Sequence, residues 1–248
     1  MTELLVCIIV GLTYAVQSTF GFGAGLISLP FLSILIGAKT SIGINLIFQT
    51  LTGMLLFWAW KDVSFKRLPV FLFWVTIGIV VGTLFLTHVD DYLLEIFLGF
   101  YLVLYASKQI WGHWFPEHAV MTSFKAGPLY ALVTGVSGGL VSGAFGTGGP
   151  MLVSFIKSLA LPKDNMRATI LLVMFFCNII RIAMSLQVGQ FDEKVFTYAL
   201  YALPFFIAGI FSGSIIVRIL SEKQFRSSIN FIILAAGCML LVKHFIIG

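Results

Sequence analysis

Two glycine-rich breaks interrupt an otherwise apolar chain, and they are where chemistry could occur. The first reads Phe20-Gly21-Phe22-Gly23-Ala24-Gly25 and the second Phe145-Gly146-Thr147-Gly148-Gly149-Pro150. Glycine permits backbone conformations that end a helix. A helix that restarts after such a break presents N–H groups and the positive end of its dipole, a combination that attracts anions. Small polar side chains flank both breaks: Gln17, Ser18 and Thr19 before the first, Ser142 before the second and Thr147 inside it. Neither break follows a soluble strand or carries a phosphate-binding lysine, so a nucleotide fingerprint is excluded. The plainer reading is that membrane helices use glycine for close packing.

Polar residues inside the long apolar runs form the second group. Asn45 and Gln49 are four apart and share a helical face. Asn178 and Arg181 are three apart in the matching run of the second half. Interhelical hydrogen bonding is the bland role for Asn and Gln. Arg181 is more telling, because charge within a membrane is costly and usually faces a cavity. The alternative is that it snorkels to the outer surface near Gln187. His88, His113, His118 and His244 lie in loops or at segment ends, so no metal cluster is expected. Asp90 and Asp91 read as a solvated loop. No Asp or Glu is evident within the membrane, although Glu95 lies near the start of a run, so a buried-carboxylate proton relay is not expected.

These residues must be positioned by helices. Apolar runs extend from about Leu4 to Thr19, Ala24 to Gly37, Thr40 to Trp60, Leu68 to Thr87 and Tyr92 to Trp111. After a polar stretch they resume at Gly127 to Phe145, Gly149 to Leu161, Arg167 to Gly189, Val195 to Leu220 and Ser227 to Ile247. Lipid leaves only helices or closed barrels, and no alternating strands of a barrel are present. In each half the second run is short. A run of about 13 residues rises roughly 20 Å as a helix, less than the hydrocarbon core of about 30 Å. Phe20, Gly21 and Gly23 match Phe145, Gly146 and Gly148 at one constant offset, which marks a repeat. The expected organisation is a first transmembrane repeat over 1–112, a cytoplasmic linker over 113–126 and a second repeat over 127–248.

Composition fixes the class. The chain is 59% hydrophobic and only 10% charged, against about 25% charged in soluble domains. An ordinary soluble enzyme, a disordered chain and a nucleic-acid-binding domain are thereby excluded, despite the net charge of +5. Cys7, Cys177 and Cys238 sit in apolar runs without a pairing pattern. The beginning, Met1-Thr2-Glu3, lacks a basic region and a cleavage site, and reads as the start of a first membrane segment. With the Lys61–Arg67 loop placed in the cytoplasm, four inner regions hold eleven of the fifteen basic residues, and Lys39, Lys194 and Lys243 fall outside. Five segments per half then make the two halves opposite in orientation, with both termini outside.

The paired Phe-Gly-x-Gly motifs followed by short apolar runs resemble those of the TauE/SafE family of sulfite exporters, also called the 4-toluene sulfonate uptake permease family. The similarity covers essentially the whole chain. Gly23-Ala24-Gly25 stands where the family has three glycines, and Pro150 replaces the last glycine of the second motif. The resemblance implies bacterial inner-membrane transport of sulfite, thiosulfate, sulfoacetate or another organosulfonate. The expectation is therefore an all-α polytopic membrane protein of two inverted repeats of five segments, each with a short broken or re-entrant helix. It would export a small anion bound mid-membrane by Gln17, Ser18, Thr19, Phe20, Gly21, Gly23, Gly25, Asn45, Gln49, Ser142, Phe145, Gly146, Thr147, Gly148, Gly149, Asn178 and Arg181. No cofactor, metal or catalytic group is expected. The partners are the anion and the lipid bilayer, with proton coupling and a homodimer compatible with both. A passive anion channel and an integral membrane enzyme are the alternatives.

The charge distribution yields a topology test. On a cysteine-free background, single cysteines at Ser64 and Ser221 should react with an impermeant thiol reagent from the cytoplasmic side only. One at Gln190 should react from outside only. Labelling of positions 64 and 190 from the same side would contradict the inverted repeat.

Overall fold

The computed structural model describes residues 2–20, 23–55, 63, 65, 68–114, 127–219 and 222–247. Ten helices and no strand occur among them. The first half supplies α1 (Thr2–Phe20), α2 (Ala24–Ile36), α3 (Ala38–Leu55), α4 (Leu68–His88) and α5 (Asp91–Trp114). The second supplies α6 (Pro128–Phe145), α7 (Gly149–Ser158), α8 (Lys163–Gln187), α9 (Glu193–Ile219) and α10 (Glu222–Ile247). Each expected run has become one helix. The end of the third run, 56–60, and most of the linker lie outside the described residues.

Among the described residues, five helices are long and apolar enough to cross a membrane: Leu68–His88, Asp91–Trp111, Pro128–Phe145, Ala168–Gln187 and Glu193–Ser212. Helix α4 shows what this means for packing. Phe71, Val75 and Ile79 are buried, while Val70, Phe73, Ile77, Val81 and Leu84 are exposed. A helix that is apolar on its outer face as well as its inner face belongs in lipid. Helix α3 is absent from the five because Lys39, Asn45 and Gln49 dilute its apolar run. The helices after the breaks are short, 13 residues for α2 and 10 for α7.

The chain forms two compact units that draw on both halves: residues 1–41, 89–123 and 200–248 in one, and 42–88 and 124–199 in the other. In the second unit α4 and α6 meet backbone to backbone. A Cβ at Gly78 would lie 2.9 Å from the Gly139 Cα, one at Gly82 would lie 2.9 Å from the Ala144 nitrogen, and one at Gly143 would lie 2.9 Å from the Thr83 nitrogen. Glycines four apart let helices approach this closely in lipid, where dispersion contacts replace the hydrophobic effect as the driving force. Phe71 of α4 also stacks on Phe155 of α7, with ring centroids 4.0 Å apart. Helices α3 and α8 touch where Phe175 covers Gly53. In the first unit α1 meets α9 through Gly11 and Gly209, and α5 meets α10 through Gly99 and Gly237.

The two breaks depend on glycine for different reasons. Gly23 has φ 110°, and a Cβ there would meet nothing within 4 Å. Gly148 has φ −66°, but a Cβ would collide with the Gly138 carbonyl oxygen and the Ser142 hydroxyl. Gly23→Ala should therefore cost only backbone strain, about 1–2 kcal/mol. Gly148→Ala must push α7 off α6 and should lower the melting temperature in detergent by clearly more. An equal or smaller drop for Gly148→Ala would contradict the close α6–α7 approach.

Candidate functional site

The second break is built from α6, one linking turn and α7. Helix α6 ends at Phe145, and Gly146 follows in the left-handed region at φ 76°, ψ 13°. Its N–H donates to the Ser142 carbonyl at 2.7 Å, closing the helix. Thr147 and Gly148 lead into α7, which opens with Gly149 and Pro150. Ser142, Phe145, Thr147, Gly148 and Gly149 are all buried, and Gly146 is half-buried.

Two side chains from distant helices converge on Gly146. Arg181 of α8 lies against its Cα: a Cβ there would be 2.8 Å from Nη2, 2.9 Å from Nη1 and 3.1 Å from Cζ. Gln49 of α3 donates from Nε2 to the Gly146 carbonyl at 3.3 Å. Asn178, one turn before Arg181, accepts from Nη1 at 3.4 Å. Arg181 is 2% exposed and is the largest fully buried side chain among the described residues, so it does not snorkel. Asn45 is buried one turn from Gln49 on the same face of α3. The glycine at 146 thus has two roles. It takes a conformation that disfavours a side chain, and it leaves the guanidinium room to sit on the backbone.

The backbone supplies fewer donors here than the sequence suggested. Pro150 has no N–H, and the N–H groups of Met151 and Leu152 donate to the Gly148 carbonyl at 3.1 and 3.2 Å. The donors around Gly146 that remain prominent are side chains, the guanidinium of Arg181 and the amides of Gln49 and Asn178. The first break differs. The N–H groups of Ala24, Gly25 and Leu26 precede the first helical bond of α2, from Ile27 to the Gly23 carbonyl at 3.3 Å, and no proline intervenes before Pro30.

Of the expected site residues, the structure brings together Gln49, Ser142, Gly146, Thr147, Gly148, Asn178 and Arg181 within one unit. Gln17, Ser18, Gly23 and Gly25 belong to the other unit. There Gln17 and Gly25 are buried, while Ser18 is half-buried and donates to the Ala15 carbonyl on its own helix at 2.9 Å. Gly21 and the side chains of Thr19 and Phe20 lie outside the described residues.

Two buried polar groups escaped the sequence reading. Thr83 of α4 sits beside Gly143 in the last turn of α6, and its hydroxyl has no hydrogen-bond partner among the described residues. Its signal was a hydroxyl next to a packing glycine. Glu95 is 3% exposed, enclosed by protein although it lies near the start of its apolar run. Its place in the first turns of α5 had made it look like part of a solvated end.

Comparison with known proteins adds one finding. Residues 5–240 match the family model described as sulfite exporter TauE/SafE. No curated protein and no solved structure matches the chain. The match runs through both glycine breaks and all ten helices, and the chain belongs to the TauE/SafE sulfite exporter family of multi-pass membrane transporters.

Proposed function

We propose that the protein is a secondary transporter that exports a small sulfur oxyanion across the bacterial inner membrane, seating the anion on Arg181 at the second glycine break. Sulfite, thiosulfate and organosulfonates such as sulfoacetate are the substrate class, and both termini face outside. The observation that carries this reading is the buried guanidinium lying on Gly146, beside two amide side chains. A guanidinium offers a planar fork of donors that matches two oxygens of a sulfite or sulfonate group. The amides can donate to a third oxygen or accept from a protonated one. Gln49 and Gly146 are half-buried, so the constellation is approachable at that side while Arg181 is enclosed. No helix N-terminus has to carry the anion alone.

The packing also supports an inverted repeat. The first helix of each half packs on the fourth helix of the other, α1 on α9 and α6 on α4. The third helices, α3 and α8, pair with each other, as do the fifth, α5 and α10. This set of pairs is unchanged when the halves are exchanged, as a two-fold relation requires. The charge on the site is not repeated, because the residue at the corresponding offset from Arg181 is Leu56.

Sulfite binding to detergent-solubilised protein, measured by calorimetry, tests the assignment. Arg181→Lys keeps the charge and loses the fork. Losing one charge-assisted hydrogen bond of about 1.5–3 kcal/mol weakens binding roughly ten- to hundredfold. Arg181→Gln should abolish measurable binding, with thermal stability as the control for folding. If Lys binds like wild type and Gln loses only stability, Arg181 is a structural anchor. Gly146→Ala supplies an independent check: its methyl group displaces the guanidinium, so affinity should fall at least tenfold with Arg181 intact. Unchanged affinity in that variant would detach the break from the site.

A further inference from the structure

We propose that Thr83 is a further substrate-binding residue, its hydroxyl donating to the anion oxygen that the Arg181 guanidinium leaves free. The inference rests on the anion site assigned above and deepens it. A planar fork of donors engages two oxygens. Sulfite, thiosulfate and sulfonates carry a third oxygen on the same sulfur, and a donor from a second direction suits it. The amides beside the guanidinium are already partly engaged, Gln49 with the Gly146 carbonyl and Asn178 with Nη1.

Thr83 is 1% exposed, and its hydroxyl has no hydrogen-bond partner among the described residues. A local partner is ordinarily at hand, because a helical threonine can donate to the carbonyl one turn back. The other two threonines of α4 do so, Thr76 to the Leu72 carbonyl at 2.8 Å and Thr87 to the Leu84 carbonyl at 2.7 Å. At Thr83 the equivalent carbonyl belongs to Ile79, and Gly143 of α6 sits on it so closely that a Cβ there would collide with its oxygen. A buried hydroxyl left unpaired costs free energy. Valine would fill nearly the same volume without that cost, so packing alone does not ask for threonine here.

The position of Thr83 puts it next to the site. A Cβ at Gly143 would lie 2.9 Å from the Thr83 nitrogen. Gly143 precedes by three residues the Gly146 on which the guanidinium lies, about one helical turn or roughly 5 Å along α6. On α4, Gly82 faces α6, and Thr83 is turned about 100° from it. Helix α8, which carries Arg181 and Asn178, also packs on α4. Thr83 and Arg181 thus stand at the end of α6 on two helices that touch each other, and both are enclosed by protein. A binding site covers most of its ligand, so buried donors are what such a site requires.

The test measures sulfite affinity by calorimetry and the melting temperature of the anion-free protein, both on the full chain in detergent. Thr83→Val removes the hydroxyl and keeps the shape. Loss of one hydrogen bond to a charged group should weaken sulfite binding roughly tenfold or more. The melting temperature should stay level or rise, because an unpaired buried hydroxyl has gone. Thr83→Ser keeps the hydroxyl and should bind at least severalfold more tightly than Thr83→Val. Wild-type affinity in Thr83→Val overturns the assignment, as does equal weakening in the Ser and Val variants. A lower melting temperature in Thr83→Val would show that the hydroxyl has a structural partner, and it overturns the assignment too. If wild type binds sulfite, Arg181→Gln abolishes binding and Thr83→Val leaves it intact, only this inference fails. If wild type binds no sulfite, thiosulfate or sulfoacetate, the anion site itself fails, and this inference with it.

Discussion

The contact between the Arg181 guanidinium and Gly146 is the constraint on which the functional half of this structure turns. A buried cation in a membrane helix is expensive to hold. Holding it against a backbone that has just left a helix requires three arrangements at once. Residue 146 must lack a side chain and adopt φ 76°. Helix α6 must end at that height, which its glycine contact with α4 sets through Gly82, Thr83, Gly143 and Ala144. Helix α3 must bring Gln49 to the Gly146 carbonyl. Each condition is met by small residues or a single hydrogen bond, and together they fix a positive charge where the chain is irregular.

The glycines of this chain therefore divide by physical role. Those at 78, 82, 139 and 143 remove side chains so that backbones can touch. Gly23 and Gly146 supply positive φ at the two breaks. Gly148 belongs with the packing set although its place in the motif suggested the other role. This separates the two breaks chemically. The first leaves backbone N–H groups at the start of α2, whereas the second spends its proline and the Gly148 carbonyl on closing α7 and relies on side chains instead.

Much of this was legible in the sequence. Apolar runs gave the ten helices, the duplicated motif gave the breaks, and an arginine in an apolar run stood out because nothing there makes its charge inexpensive. What could not be read were the long-range partners. Gln49 meets Gly146 across 97 residues, and Glu95 meets Lys243 across 148. No local pattern encodes either. Glu95 in particular sits where a solvated helix end is the ordinary expectation, and its 3% exposure comes from tertiary packing that the local sequence does not show. Likewise Gly148 could not be assigned to packing until Gly138 and Ser142 were known to lie under it.

The central claim is that the anion rests on Arg181 at the second break. Selenite, the heavier analogue of sulfite, can report this directly through anomalous scattering from soaked crystals. The account predicts a selenium peak within about 4 Å of the Arg181 guanidinium nitrogens, the reach of one hydrogen bond plus one Se–O bond. A peak elsewhere in the protein, with the environment of Arg181 and Gly146 unoccupied, would contradict it.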